Sequence, residues 1–263
     1  MCFWGYEIIY VTNYRRTCKL LKKAVGKKIG TITHVDTQKK VIALTFDDGP
    51  HPAFTPKLLD ILKGHGSKAT FFMVGRVAQD HPELVRRVAD DGHVIANHSW
   101  DHKSLPLLNR RERIHQVLAG ASSIAPYGTR LFRPPYGHQS VASLIDVLLL
   151  GYQVVTWNVI GWDWLDYDSG YISDRIISQV KPGSIVLLHD GMYSTIDEHY
   201  VDRKQTLKAV DAVLDRLGRK FQFVTLVELF RHGPKVRENW YKRPNVQWLK
   251  GLRQTDYQIS QEE

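Results

Sequence analysis

One stretch decides how the rest of the chain is interpreted: Thr45-Phe46-Asp47-Asp48-Gly49-Pro50. It directly follows residues 41–44, an apolar run with β-branched residues that predicts a buried strand. Because a Gly-Pro pair cannot continue a strand, the two adjacent carboxylates lie where this strand ends. Neighbouring side chains of an extended strand point to opposite faces, but a turn at this point can aim both into one cleft.

Two interpretations of the paired carboxylates are open. Carboxylates this close resist ionising together unless a cation separates them. One of them could therefore bind a metal ion while the other accepts a proton. The alternative is an ordinary turn, since Asp, Gly and Pro are common turn residues. The stretch alone does not decide between a metal site and a turn.

The positive charge of the chain lies at its two ends. Residues 1–40 carry nine Lys/Arg against two Asp/Glu, and residues 231–263 carry seven against four. Residues 41–230 carry 20 against 21, so the net charge of +9 does not come from the body of the chain. Nucleic-acid binding requires a basic face on the folded domain, and this distribution disfavours it.

The 263 residues suffice for one large α/β domain or two small ones. We divide the chain into a basic N-terminal extension at 1–40, a domain at 41–230 and a C-terminal tail at 231–263. We expect the first strand of the domain to begin at Val41, and we expect function not to depend on the extension. Both cysteines precede residue 41, so the domain needs no disulfide and has no thiolate metal site.

Neither a secretory signal nor a membrane span is expected. Glu7 interrupts the apolar run near the N-terminus, and the basic residues follow that run instead of preceding it. The longest apolar region, residues 141–164, contains Asp146, Gly151 and Asn158. It is typical of a helix followed by a strand inside a core. No partner protein is evident from the sequence.

Predicted strands and helices alternate along the domain. The strands are expected at 41–46, 69–74, 93–96, 131–132, 154–159, 184–188 and 221–224, and the helices at 54–62, 81–92, 109–124, 141–150, 173–180 and 206–217. This alternation predicts an α/β fold with a parallel sheet, either open or closed into a barrel. At least five strands end in Asp, His or Arg, at the edge where parallel folds build active sites.

A second motif suggests a metal site. His98 and His102 are four residues apart, so a helical turn would place both imidazoles on one face. Together with one carboxylate of Asp47 or Asp48, they provide three protein ligands and leave positions open, the pattern of a catalytic metal ion. A histidine pair with this spacing is by itself more often a surface feature.

Five ordered motifs resemble those of the polysaccharide deacetylases, also called carbohydrate esterase family 4 or the NodB-homology group. They lie at residues 45–50, 98–102, 133–137, 163–164 and 187–190, and the resemblance covers about residues 41–230. It implies a single distorted (β/α) barrel with the active site at the carboxyl ends of its strands. It also implies metal-dependent removal of acetyl groups from N-acetylated sugars of a peptidoglycan-like or chitin-like polymer.

The resemblance also implies roles for individual residues. Asp47 would be the general base, and Asp48, His98 and His102 would bind the metal ion. Arg133 would hold the carboxylate of Asp47. A set of two imidazoles and one carboxylate favours Zn²⁺, with Co²⁺, Mn²⁺ or Ni²⁺ as alternatives.

The remaining motifs imply the other half of the site. The backbone N–H of Tyr136 would bind the oxyanion, and Asp163 would orient His189, the general acid. Trp164 would wall the substrate groove, and Leu187 would line the pocket for the acetyl methyl group. Trp100 and Pro134 complete the expected substrate contacts.

Chemical reasoning agrees with these roles. An amide carbonyl needs polarisation and its attacking water needs a lowered pKa, which a cation supplies, while the leaving amine must be protonated. One position departs from the family pattern, since many members have Asp where this chain has Ile160. That change affects the local groove more than the chemistry, because Asp163 is present.

Two other functions fit the same motifs. An O-acetyl esterase acting on a polysaccharide such as xylan resembles the same family. A catalytically idle carbohydrate-binding protein could use Trp100, Trp162 and Trp164 to stack on sugars, but it would be expected to have lost Asp47 or His189. The resemblance favours a location in the cell envelope or outside the cell. The absence of a clear signal argues against such a location, so the location stays open.

Overall fold

The computed structural model describes residues 29–255. Its strands are Thr31–Val35 (β1), Val41–Asp47 (β2), Thr70–Met73 (β3), Val94–Asn97 (β4), Gly128–Phe132 (β5), Gln153–Val154 (β6), Val159–Ile160 (β7), Ile185–His189 (β8), Ser194–Thr195 (β9), Gln222–Phe223 (β10), Lys235–Glu238 (β11) and Arg253–Gln254 (β12). Its α-helices are Thr55–Gly64 (α1), Gly75–Asp80 (α2), Pro82–Asp90 (α3), Arg110–Ser123 (α4), Val141–Leu149 (α5), Ser169–Gln179 (α6), Lys204–Leu217 (α7), Leu226–Leu229 (α8) and Val246–Lys250 (α9). The predicted elements are present with shifted ends, and α2, β1, β9, β11, α9 and β12 are additional.

The central sheet is parallel and curls into a barrel. Its strand order is β6-β5-β4-β3-β2-β8-β7, and β10 pairs with the start of β2. Every pairing along this order is parallel, as expected for strands joined by crossovers. This architecture confirms the predicted α/β barrel, in which the carboxyl ends of the strands meet on one side.

The segment 153–160 closes the curl of the sheet. Its first two residues form β6 beside β5, and its last two form β7 beside β8. The sequence predicted one strand here, but the chain changes partner between the two halves. The Val155 N–H donates to the Phe132 carbonyl at 2.9 Å, and the Asn158 N–H donates to the Ile185 carbonyl at 3.2 Å.

Segments outside the predicted domain also pack on the barrel. β1 pairs antiparallel with β11, and Ile32 forms a parallel bridge with Val155. Ile32 and Val35 are completely buried. The expectation that the first strand begins at Val41 is therefore wrong, because a short β-branched run upstream of it already pairs with the body. The division of the chain at residues 40 and 230 stays a prediction.

Apolar side chains pack on both faces of the sheet. Outward side chains such as Leu44 and Leu188 join a cluster with the buried faces of α1, α6 and α7. Inward side chains such as Ala43, Phe72 and Ile185 fill the barrel interior. Successive residues of one strand alternate between the two faces. Within residues 29–255, none of the helices is long and apolar enough to cross a membrane.

Candidate active site

The inner faces of β2 and β8 become polar toward their carboxyl ends. Thr45 and Asp47 follow the apolar inward positions of β2, and Leu187 and His189 follow those of β8. The parallel register places Thr45 beside Leu187 and Asp47 beside His189. Because side chains two residues apart share a face, the strand period itself delivers Asp47 and His189 to one end of the barrel.

The two adjacent aspartates reach the same histidine. Asp47 is the last residue of β2, whereas Asp48 has a φ of 73° and begins the turn. This change of direction brings Asp47 Oδ2 to 3.7 Å and Asp48 Oδ1 to 3.4 Å from His98 Nε2. Both carboxylates therefore face one cleft, as expected of a strand that breaks into a turn.

His98 and His102 lie in the loop after β4, not on a helical turn. Ser99 and His102 have positive φ angles of 71° and 57°. The His102 N–H donates to Ser99 Oγ at 3.1 Å, which tightens the loop. The prediction that helical spacing aligns the two imidazoles is therefore wrong. A loop folded back through two left-handed residues brings them together instead.

Three ligand atoms form a compact triangle. Asp48 Oδ1 lies 3.4 Å from His98 Nε2 and 3.1 Å from His102 Nε2, and the two nitrogens are 3.2 Å apart. All three side chains are buried. Zinc binds such atoms at about 2.0–2.2 Å in tetrahedral geometry, which separates neighbouring ligand atoms by about 3.3–3.5 Å. The residues present therefore fit a divalent cation of this kind.

Hydrogen bonding orients the ring of His98. Its Nδ1 lies 2.8 Å from the backbone oxygen of Arg133, which can only accept, so Nδ1 donates. The ring therefore turns Nε2 toward Asp48, at 3.4 Å from its Oδ1. A backbone carbonyl in this position is a common partner of metal-binding histidines.

Asp48 is held in its charged form. Its Oδ2 accepts a hydrogen bond from the backbone N–H of Tyr193 at 3.0 Å. Burial alone would raise the pKa of Asp48, but His102 and His98 outweigh burial and hold that pKa well below its usual value. Burial lowers the pKa of His102, although Asp48 opposes this. Asp48 is therefore a carboxylate, the form that binds metal ions.

Arg133 lies completely buried inside the barrel and fixes Asp47. Its Nη1 donates to Asp47 Oδ1 at 2.6 Å and to Thr45 Oγ1 at 2.9 Å. Its Nε and Nη2 donate to the carbonyl groups of Val155 and Thr156 in the closing segment. Burial lowers the pKa of Arg133 and Asp47 opposes this, and arginine remains a cation. Asp47 therefore has a permanent positive charge on one side.

Asp163 holds His189 at two points. Its Oδ2 accepts from the His189 backbone N–H at 2.8 Å, and its Oδ1 lies 3.0 Å from the ring Nδ1. Thr206 Oγ1 donates to Oδ2 at 3.1 Å, and Arg203 Nη1 donates to the Asp163 carbonyl at 2.9 Å. Burial lowers the pKa of His189, but Asp163 outweighs burial and raises it above the usual value. With Nδ1 engaged by the carboxylate, Nε2 is the nitrogen left for substrate.

Tyr136 lies on a turn after Pro134 and has a left-handed backbone, with a φ of 57°. The Gly137 N–H closes the turn onto the Pro134 carbonyl at 3.0 Å. The Tyr136 ring packs edge-on against His102, with centroids 4.4 Å apart, and its hydroxyl lies 2.8 Å from Ser194 Oγ. Burial raises the pKa of Tyr136 to about 12, so the phenol is neutral.

Two predicted substrate residues border this centre. Trp164 meets the His189 ring edge-on, with centroids 5.2 Å apart. Leu187 is buried and lies two residues before His189 on the same face of β8. Ile160, where many family members carry Asp, pairs with Leu187 in the sheet. The structure thus places Trp164 and Leu187 close to His189.

The other two tryptophans named as possible sugar contacts, Trp100 and Trp162, pack against neighbouring residues. The Trp100 ring packs so closely over Gly75 that an added Cβ there would lie 3.0 Å from it. The guanidinium of Arg175 lies over the Trp162 ring, 3.5 Å from the ring centroid. Trp100 stays a predicted sugar contact. One face of Trp162 is covered by Arg175, which leaves less of it for stacking on a sugar.

The sequence analysis missed several polar groups behind the site. Asp190 Oδ2 accepts from Thr55 Oγ1 at 2.5 Å, and its carboxyl group leaves no room for a Cβ at Gly49. Burial raises the pKa of Asp190 to about 7. Only Asp190 had a signal in the sequence, its place directly after His189. Thr55 and Thr206 are unremarkable residues in the first turns of helices, and only the packed structure brings them to these carboxyl groups.

Comparisons with known proteins identify the family. The family model for polysaccharide deacetylases matches residues 34–155. A peptidoglycan-N-acetylglucosamine deacetylase of Bacillus cereus is 36% identical over 197 residues, which cover 73% of this chain and 69% of that protein. A chitooligosaccharide deacetylase of Sinorhizobium fredii is 40% identical over 165 residues, covering 61% and 77%.

Solved structures of the same family are also similar to this chain. A peptidoglycan N-acetylglucosamine deacetylase in complex with 4-naphthalen-1-yl-N-oxidanyl-benzamide matches with a TM-score of 0.71 at 32% identity, covering 79% of this chain and 96% of that one. A family 4 carbohydrate esterase from Streptomyces lividans in complex with acetate matches with a TM-score of 0.65 at 28% identity, covering 78% and 99%. The chain therefore belongs to the polysaccharide deacetylase family and is an enzyme of that family.

Proposed function

We propose that this enzyme removes acetyl groups from N-acetylated sugars of a polysaccharide or oligosaccharide, with a divalent metal ion, and releases acetate. One observation carries the proposal. Asp47, paired with Arg133, and His189, paired with Asp163, lie side by side at the rim of a triangle of metal-ligand atoms. Relatives named for peptidoglycan and chitooligosaccharide deacetylation support a sugar amide as the substrate.

Asp48, His98 and His102 would hold the metal ion. Their two imidazoles and one carboxylate favour Zn²⁺, with Co²⁺, Mn²⁺ or Ni²⁺ as alternatives. When bound, such an ion polarises the acetyl carbonyl and lowers the pKa of water. Proton transfer and orientation are then left to the other residues of the site.

Asp47 is proposed to accept the proton of the attacking water. Its Oδ1 is held by Arg133 at 2.6 Å, so Oδ2 is the oxygen left to act, and it lies 3.7 Å from His98 Nε2. The proposed role of Asp47 as a base rests on this placement.

The other residues are proposed to stabilise charge and to release the amine. The N–H of Tyr136 donates to the oxygen that becomes negative as water adds to the carbonyl. His189 Nε2 gives its proton to the sugar nitrogen as the C–N bond breaks, which yields acetate and a free amine. Leu187 would line the methyl pocket, and Trp164, Trp100 and Pro134 would contact the sugar.

Acetate release from three substrates tests the proposal. The substrates are oligomers of N-acetylglucosamine, peptidoglycan and O-acetylated xylan, each with chemically deacetylated material as the control. We expect release from at least one of the two N-acetylated substrates. Release from xylan alone would establish an O-acetyl esterase, and binding without release from any substrate would establish a carbohydrate-binding protein.

Metal removal tests the second part of the proposal. We expect a chelator to abolish acetate release and added Zn²⁺ to restore it, because the ligand triangle fits that ion. Protein carried through the same treatment without chelator is the control. Full turnover by protein whose metal content has been shown to be nil would contradict the metal dependence.

A further inference from the structure

The C-terminal segment, residues 239–255, lies across the active-site face of the barrel. β12 pairs antiparallel with β9, and the Thr255 N–H donates to the Tyr193 carbonyl at 3.0 Å. At the other end, the Gln139 N–H donates to the Lys242 carbonyl at 3.0 Å. The segment thus connects the loop after β8 with the turn that carries Tyr136. We call residues 239–255 the strap.

The strap donates hydrogen bonds to the carbonyl groups of Tyr136 and Gly137. Lys242 Nζ donates to the Tyr136 carbonyl at 3.1 Å, and Trp240 Nε1 donates to the Gly137 carbonyl at 2.9 Å. Gln139 Nε2 donates in return to the Trp240 carbonyl at 2.6 Å. Four hydrogen bonds therefore join the strap to this part of the chain, two to the carbonyl groups of Tyr136 and Gly137 and two from Gln139.

The turn needs such support. A φ of 57° is unfavourable for a residue with a Cβ, and such a conformation persists where its surroundings impose it. Gly137 is also left-handed, and an added Cβ there would lie 2.9 Å from the Trp157 ring. An N–H that stabilises a developing charge must be placed before the reaction, since a donor that has to reorient loses its advantage.

We propose that Trp240 and Lys242 are positioning residues that hold the Tyr136 turn in the geometry required for oxyanion binding. This inference rests on the proposed function, because it assigns the Tyr136 N–H to the oxyanion. It adds the strap to the active site, although the sequence predicted residues 231–263 to be a tail. Both residues act through Tyr136 and not on the substrate itself.

Two substitutions remove one hydrogen bond each. Trp240→Phe retains the ring packing and deletes the donor, and Lys242→Met retains the aliphatic stem and deletes the ammonium. We expect kcat to fall about tenfold in each, part of the 10²–10³-fold that an oxyanion donor typically contributes, with little change in KM. Lys242→Arg should recover most of the rate, and Lys250→Met, an exposed lysine of the same strap, is the matched control.

The same kcat measurement on an activated acetyl ester separates this inference from the proposed function. Ester hydrolysis passes through an oxyanion as well, so the loss in kcat should appear there even if no glycan amide is a substrate. Metal content and circular dichroism confirm that each variant is folded, and Lys242→Gln replaces Lys242→Met if the latter does not fold. An unchanged kcat in both variants, or a rise in KM alone, would overturn the positioning role.

A separate observation points to sugar binding by the strap. Trp248 on α9 is 44% exposed, yet it meets the Tyr136 ring edge-on with centroids 5.6 Å apart. Tyr136 in turn packs against His102. Tyr241 and Val246 on the same strap are also exposed, at 49% and 47%. An exposed aromatic side chain that contacts a residue of the reaction centre is suited to bind part of the substrate.

We infer that Trp248 stacks on the sugar adjacent to the one that loses its acetyl group. The C–H face of a pyranose is apolar and matches an indole, while its hydroxyl groups stay in water. Trp164 lies against His189, so aromatic side chains flank the cleft on the His189 side and on the Tyr136 side. This inference also rests on the proposed function, since it requires a glycan of at least two sugars.

Trp248→Ala tests the stacking. We expect the ratio of kcat/KM on N-acetylglucosamine oligomers to kcat/KM on an activated acetyl ester to fall about tenfold, because the oligomer loses the apolar contact with the indole and the small ester does not use it. Trp248→Phe should retain most of the ratio. Leu149→Ala, a change at a 69% exposed position of α5, is the matched control.

Titration calorimetry of the oligomer with the metal-free enzyme covers the case in which the glycan is bound but not hydrolysed. Weaker binding of the oligomer by Trp248→Ala would then support stacking on Trp248 even though the proposed reaction does not occur. An unchanged kcat/KM ratio, or unchanged binding affinity, would overturn the role of Trp248.

Discussion

The two pairs proposed to transfer protons hold opposite charges by opposite means, and each pair is called an arm of the site. In the first arm Asp47 lies against the guanidinium of Arg133, and in the second His189 lies against the carboxylate of Asp163. The side chains of the first pair are 4% and 0% exposed, whereas that of His189 is 14% exposed. The first arm is thus sealed, and the second opens to the cleft. This opening fits the role proposed for His189, since a general acid must regain a proton from water after each turnover.

The sealed arm is expected to be the more fragile, because a buried charge depends on its partner. Arg133→Met leaves Asp47 buried and without its cation. We expect a loss of about 3–5 kcal/mol in the free energy of unfolding, together with loss of acetate release. Denaturant unfolding and the acetate assay measure the two effects.

A double variant distinguishes charge from packing in that arm. In Arg133→Met/Asp47→Asn the buried group is neutral, so part of the lost stability should return while activity stays absent. Arg110→Met is the control, since Arg110 pairs with Asp146 at 3.2 Å but is 68% exposed and should contribute no more than about 1 kcal/mol. Equal losses in the single and the double variant would contradict the importance of the charge.

The open arm should matter most for poor leaving groups. His189→Ala is expected to slow amide hydrolysis by about 10²–10⁴-fold, because the departing amine then lacks its proton donor. Activated acetyl esters leave without protonation and should be slowed much less. Steady-state rates on both substrates provide the test, and equal losses on amide and ester would indicate another role for His189.

The pH–rate profile reports the pairing of His189 with Asp163. His189 must be protonated to donate, so activity is lost as the pH rises through its pKa. Asp163 raises that pKa, and Asp163→Asn should therefore move the alkaline limb of the profile to lower pH and reduce the rate at neutral pH. An alkaline limb that does not move would contradict the pairing.

The smallest expected effect on the rate comes from Thr206, which contacts Asp163, the residue that holds His189. Thr206→Val retains the shape of the side chain and removes the hydrogen bond of 3.1 Å to Asp163 Oδ2. One such bond is worth about 0.5–1.5 kcal/mol, so we expect kcat to fall by about two- to tenfold as Asp163 loses one of the contacts that position it. A kcat identical to that of the unmodified enzyme would show that the other contacts of Asp163 suffice.

The barrel was predictable from the sequence because its strands and helices carry strong periodic patterns. The end of each strand also predicted which chemistry-bearing residues meet, as in the placement of Asp47 beside His189. The strand pair β1–β11 and the strap were missed for a physical reason. Their pairing segments are only two to five residues long, too short for a hydrophobic period, and residues 235–238 alternate basic, apolar, basic and acidic side chains.

Local backbone geometry was also not predictable from the sequence. Ser99 and His102 adopt positive φ angles without being glycine, and no sequence pattern indicates this conformation. The prediction of two converging imidazoles therefore held, but through a loop instead of a helix. Contacts such as Thr206 with Asp163 join residues 43 positions apart and depend on the packed barrel.

The division of work between the two neighbouring aspartates is the central claim, and parallel measurement of metal content and acetate release in Asp47→Asn and Asp48→Asn tests it most directly. We expect Asp47→Asn to keep its metal ion and to lose about 10²–10⁴-fold in turnover, since an amide retains the shape but cannot accept the proton. We expect Asp48→Asn to lose the metal ion, because an amide oxygen lacks the charge that binds it. Loss of the metal in Asp47→Asn with retention in Asp48→Asn would contradict the assignment and reverse the two roles.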